Sequence, residues 1–242
     1  MIMNKIKSLI AIVGLSLLSA CGGGGDGGGG GTPAPVASTS VFNLQAAYKS
    51  DNATSSSNRL TITGMQGTSP VSGNATAETG AVTSGTFEGQ PALQQRTIIF
   101  GSITFNNQTV PISWSKISWM DTNYMPRGQS QSGKEYTVVD GTATLPTAAK
   151  VNDTGAFFTA KSYTTSDKTT LLATKTVTYL MEADTATTAL VTLITVVKNN
   201  AGNTIGTTTN QYRVTTANVF TRIKETAVDN TNGSSLTYTV IY

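Results

Sequence analysis

Residues 187–198, TTALVTLITVVK, are followed by Asn199-Asn200-Ala201-Gly202-Asn203 and then by a second threonine-rich run over 204–214. The first run is dense in β-branched residues, and its apolar and polar positions alternate imperfectly, as a half-buried strand requires. The five residues after it form a hairpin turn, with Gly202 free to take the left-handed position of a bulge. Strands joined this tightly are neighbours and antiparallel. The same pattern extends through 218–228 (NVFTRIKETAV), a loop at 229–234 (DNTNGS) and a closing run over 235–241. The C-terminal part therefore reads as a meander.

Working back toward the N-terminus, further strands are expected near 41–48, 59–65, 81–88, 94–105, 108–119, 135–140, 156–164 and 169–183. Helical periodicity is not sustained in any of these windows. The fold class is all-β: an antiparallel meander closing into a barrel-like or two-layer sheet over 41–242. Two related halves, 41–147 and 148–242, are a further expectation. Thr79-Gly80-Ala81 recurs as Thr154-Gly155-Ala156, and Asp121-Thr122-Asn123 with Gly128 recurs as Asn199-Asn200-Ala201 with Gly206. Tyr136 and Tyr212 follow in step. Gly-rich hairpin turns also resemble one another by chance.

The N-terminus carries a different message. Lys5 and Lys7 precede an apolar stretch over 9–18 (LIAIVGLSLL), which is the length of a signal-peptide core and short of the roughly 20 residues a spanning helix needs. Leu18-Ser19-Ala20-Cys21 resembles the lipobox of bacterial lipoproteins. In that class the cysteine thiol receives a diacylglycerol and the peptide is cut before it, so the resemblance implies a signal peptide at 1–20 and lipidation at Cys21. It speaks to processing and not to fold. Gly22 stands where inner-membrane lipoproteins often carry Asp, so by the same analogy the chain is expected at the outer membrane, held in the cell envelope by its N-terminal lipid. Residues 22–31 are glycine apart from Asp26, and Thr32-Pro33-Ala34-Pro35 follows. The segment 21–40 thus reads as a flexible tether, setting the domain about 20–25 Å from the bilayer.

Composition narrows the function classes. Cys21 is the only cysteine in the chain, so lipidation would leave no thiol for a disulfide, a metal or a nucleophile. The chain has no histidine, which removes histidine-dependent triads and the usual transition-metal sites. No cofactor is expected. Without Lys5 and Lys7, 14 basic side chains face 13 acidic ones and no basic stripe appears, so no nucleic-acid partner is expected. Charged residues are 12% of the chain, about half the usual share, and threonine, serine and asparagine take their places.

Four aromatics lie close together in the sequence: Trp114, Trp119, Tyr124 and Tyr136. Either they fill the core or one is exposed as a stacking platform for a glycan or an envelope protein. Trp114 and Trp119 are five positions apart and point to opposite sheet faces unless a bulge intervenes. Catalytic signals are weak. Glu182 and Asp184 fall at a turn, where solvated acids are ordinary, and Ser113-Trp114-Ser115-Lys116 is a serine–lysine spacing that strand alternation explains equally well. Leu236–Tyr242 resembles the C-terminal signal of outer-membrane β-barrels, but any half-buried last strand looks the same, and a lipid anchor would be redundant on an embedded barrel. The reading is a non-catalytic binding or envelope-structural lipoprotein. A carrier of apolar ligands in a barrel cavity and a carboxylate-based hydrolase are the alternatives.

Overall fold

The computed structural model describes residues 35–131, 133–230 and 236–242. Cys21 and most of the tether lie outside these residues, as does most of the expected loop at 229–234. The chain is all-β, as its strand patterns predict, and forms a closed antiparallel barrel of 12 strands. In chain order the strands are β1 (Ser56–Gln66), β2 (Ser69–Thr79), β3 (Thr83–Phe87), β4 (Gln90–Phe105), β5 (Gln108–Met120), β6 (Pro126–Gln131), β7 (Glu135–Asp140), β8 (Thr154–Tyr163), β9 (Leu171–Ala183), β10 (Thr188–Lys198), β11 (Thr204–Thr215), β12 (Phe220–Asp229) and β13 (Leu236–Ile241). From β4 to β13 every strand pairs with the next, and β13 pairs with β1. The ring closes where β2 pairs with the second half of β4, from Thr79↔Thr97 to Val71↔Phe105. β3 stays outside the ring, paired only with the first residues of β4. The 41–147 and 148–242 segments are joined into the one sheet by β7–β8 pairing.

The alternation is clean where the sequence is clearest. Along β9, Ala173, Lys175, Val177, Tyr179 and Met181 are buried in the lumen, while Thr174 and Thr176 are exposed outside. On β1, Leu60 and Ile62 point in and Thr61 and Thr63 point out. The outward positions of these strands are rich in threonine, with apolar residues such as Leu172 on β9 and Phe100 on β4 among them.

Apolar side chains close the lumen toward both ends. One cluster centres on Phe157, Val177, Met181, Val191, Val214 and Phe220. The other centres on Leu60, Ile62, Val71, Ile99, Ile103, Leu236 and Val240.

The strand expected over 41–48 is corrected by a helix, α1 (Leu44–Asn52), packed at the first of these ends. Asn43 caps it, its Oδ1 accepting from the Ala46 N–H at 2.9 Å, and Leu44 and Ala47 are wholly buried. Helix formers behind an asparagine cap outweigh the short apolar alternation. Two strands, β2 and β6, were not expected. Their serine, glycine, proline and glutamine have little β-propensity, and pairing on both flanks makes them strands.

Closure is tight where β1, β2 and β4 meet. A Cβ on Gly101 would stand 2.2 Å from the Asn74 carbonyl oxygen, and one on Gly73 would stand 2.3 Å from that of Ser102. These are backbone atoms, which cannot step aside without breaking the β2–β4 ladder. Replacing Gly101 by valine is therefore expected to lower stability by about 3 kcal/mol in urea unfolding; a variant as stable as the wild type would show that closure does not depend on this contact.

Candidate functional site

The barrel carries charges on inward positions of several strands. Lys116 on β5 sits opposite Thr97 and Gln131, and its side chain lines the lumen. Lys175 on β9 and Glu225 on β12 are nearly wholly buried. Arg222 also points inward, opposite Tyr212, because a bulge lies beside this pair. Without that irregularity Arg222 and Glu225, three residues apart, would face opposite sides.

The pairing differs from group to group. Lys175 Nζ donates to both oxygens of Glu135, at 2.8 and 3.0 Å, and the Gln129 amide donates to the same carboxylate at 2.9 Å. Burial alone would raise the Glu135 carboxyl, but Lys175, Gln129 and Thr137 together hold it below its ordinary value. Arg222 Nη2 donates to Asp51 of α1 at 3.0 Å, tying the helix to the wall. Its guanidinium lies 5.8 Å from the Tyr212 ring and 5.9 Å from the Tyr242 ring. Glu225 accepts from the Tyr238 hydroxyl at 3.3 Å. Burial pushes its carboxyl up to about 7, against the pull of Lys116 and Arg222. Lys116 makes no hydrogen bond or contact ion pair with any described residue. Burial, reinforced by Arg222, brings its ammonium down to about 8.

Of these groups Lys116, Arg222, Asp51 and Glu225 line a cavity of about 170 Å³, while Lys175 and Glu135 lie outside its lining. Its wall mixes the charges with Asn58, Gln95, Ser118, Gln129, Thr195 and Asn210, and with the rings of Tyr48, Tyr212 and Phe157. It runs out to Asn52, Asn58 and Thr79, all half-exposed at the helix end. The Arg222 side chain is ringed by protein and still 38% exposed, because it borders this space.

The four aromatics singled out in the sequence are placed separately. Trp114 lies opposite Ile99 and packs on the lumen cluster. Trp119 lies on the other face, as alternation requires, and there it meets Tyr136 at 6.1 Å between rings. Phe87 from β3 stacks on Trp119 at 4.8 Å, fitting where Gly128 has no side chain. The β3–β4 turn holds this strap down: the Glu88 carboxylate accepts from the Tyr136 hydroxyl at 2.6 Å and pairs with Lys168. Tyr124 stands apart, in the turn after β5, with the Lys49 ammonium 5.4 Å from its ring. None of the four is fully exposed.

The weaker catalytic signals also resolve into structural contacts. Glu182 accepts from Thr192 at 2.9 Å, and Asp184 is held by Arg213 at 2.6 and 3.1 Å. Ser113 and Ser115 point outward and Lys116 inward, so no serine–lysine pair forms. The lumen charges were missed, yet two of them left a signal. Lys175 stands between Ala173 and Val177 in the inward phase, and Lys116 continues the phase of Ile112 and Trp114. A charge in the buried phase of a strand is the mark to look for.

Comparison of the chain with protein-family models, with curated proteins and with solved structures finds no match.

Two tests follow from these electrostatics. The Glu225 carboxyl titrates near 7 in the folded barrel and near 4.5 in the unfolded chain. Between those values the folded state binds the extra proton, so this group's contribution to stability falls as pH rises through the window. Glu225→Gln is expected to remove that fall, so that melting temperatures at pH 5 and pH 7.5 show the wild type losing ground relative to the variant. An equal difference at both pH values would contradict this. Lys175→Met leaves the Glu135 carboxylate buried and unpaired. It is expected to cost about 3–5 kcal/mol at pH 7, largely recovered in Lys175→Met/Glu135→Leu, as read by urea denaturation.

Proposed function

We propose that this chain is a lipoprotein anchored at the outer membrane through Cys21, with a non-catalytic binding role, and that its binding site is the lumen of the barrel. The observation that carries the reading is the polar cavity at the helix end. A closed barrel can fill its interior with apolar side chains, and this one does so on either side of the cavity. Between the clusters it keeps two cations, several amides and several hydroxyls facing open space. A pocket that gathers convergent polar and charged groups among apolar side chains has the make-up of a ligand site.

The lumen favours a polar ligand over a lipid, because its volume falls below the roughly 300 Å³ at which drug-sized pockets begin and its wall carries charge. Hydrolysis by paired carboxylates finds one candidate pair, Asp51 and Glu225, both bordering the cavity. Asp51 is committed to Arg222 and to holding the helix, which suits a wall better than a base.

The test has two arms. Labelled palmitate should enter the wild type but not Cys21→Ser, and that variant should leave the envelope fraction. The small-molecule fraction of an envelope extract should raise the melting temperature of the purified wild type by several degrees, and should leave Ser118→Leu, whose new side chain fills the cavity, unmoved. No palmitate incorporation ends the anchoring half, and equal shifts in the two proteins end the lumen half.

A further inference from the structure

We infer that the lumen binds a small organic anion, its acidic head held between the Lys116 ammonium and the Arg222 guanidinium and its apolar remainder lying against Tyr48, Phe157 and Leu193. The inference rests on the lumen being a binding site at all, and it adds the chemistry of the ligand.

The charges around the cavity do not balance. Lys175 is fully engaged by Glu135. Arg222 is shared between Asp51, bound through Nη2, and the Tyr242 hydroxyl, and its side chain borders the cavity. Lys116 has no contacting partner among the described residues, and the carboxylates that act on it, Glu225 and Glu135, do so without touching it. Among the described residues that line the cavity, Glu225 is the other carboxylate that could neutralise the surplus. It is buried beside Tyr238 and holds a large share of its proton near neutral pH. While it does, Lys116 and Arg222 face only the Asp51 carboxylate among the described residues that line the cavity, and the open space lies next to both cations.

A half-buried ammonium with no contacting counter-charge is incompletely solvated, and a negatively charged ligand offsets that cost. Lysine supplies a point charge and arginine a planar fork, the pairing that recognises a carboxylate or phosphate head. Neighbouring amides of Gln95 and Asn58 and the Ser118 hydroxyl also face the cavity, within which they can orient such a group. On the remaining side Tyr48, Phe157 and Leu193 offer ring faces and methyl groups. A volume of about 170 Å³ fits a single-ring acid and excludes a fatty chain.

Three isosteric probes test this by titration calorimetry on the purified protein at pH 6.5: benzoate, benzyl alcohol and benzylamine. Benzoate is expected to bind at least tenfold more tightly than either of the others. Lys116→Met is expected to weaken benzoate at least tenfold while leaving the melting temperature unchanged or raised, since it removes a half-buried charge that no described carboxylate contacts. Lys116→Arg should retain binding. If Lys116→Met fails to fold, Ser118→Leu, with both cations in place, should still abolish benzoate binding. Benzyl alcohol binding as tightly as benzoate, with loss of both in Ser118→Leu, would overturn the anion while leaving a lumen site. No binding of any probe would overturn the inference, as would benzoate binding that ignores both Lys116→Met and Ser118→Leu.

Discussion

Closure of the sheet on itself is the constraint from which the rest of this molecule follows. β3 pairs with the first part of β4, and β2 takes over the same edge further along. The exchange makes a ring from what would otherwise be an open meander with two exposed edges. It also demands a sharp inward curl where Gly73 and Gly101 lie against neighbouring backbone, closer than any side chain permits. With the ring shut, every second residue of each strand is committed to an interior, and the chain must supply something to fill it.

The filling is uneven. Valines, isoleucines and methionine occupy much of the lumen, and α1 adds Leu44 and Ala47 at one end. Between them the barrel holds ionisable groups in very different states. Lys175 and Glu135 satisfy one another with hydrogen bonds to spare, so that pair is a closed unit. Arg222 and Asp51 link the wall to the helix. Lys116 and Glu225 oppose each other through space without contact, and burial drives both toward neutrality. A purely structural network has no use for such a gap. A site that must accept a charged guest does, because the guest completes the pairing.

How far the sequence disclosed this depends on which residues are asked. The strands from β9 to β13 are the most legible because β-branched and apolar residues alternate with polar ones between clear turns, most plainly where Thr alternates with Ala, Val and Tyr in 171–183. β2 and β6 were hidden because SPVSGNATAET and PRGQSQ are strands only by virtue of their neighbours. The helix was hidden by its brevity, although Asn43 was in place to cap it. Among the aromatics, alternation separated Trp114 from Trp119 correctly. No local pattern could show that Phe87, from a different hairpin, covers the face of Trp119. The charged lumen was readable in part: Lys116 and Lys175 are each in phase with buried neighbours. Arg222 was not readable, since its inward aim depends on a bulge.

The geometry of the chain's entry relates the lumen to the proposed anchor. Val36 pairs with Asp184 and Phe42 with Ala149, and both contacts lie at the end of the barrel where α1 packs. The cavity runs out at that same end, beside Asn52 and Asn58. If Cys21 carries the lipid, as proposed above, a tether joining the chain at that end would set the mouth of the lumen about 20–25 Å from the bilayer on average. Ligand would then enter from the space between barrel and bilayer, passing the C-terminal turn of α1. The one ion pair that spans this threshold is Asp51–Arg222. It joins the helix to the residue that borders the cavity, so any movement of α1 at the mouth also shifts the cation presented inside. On the lumen-binding reading proposed above, entry and recognition would share that contact, which would make the helix part of the site and not a plug.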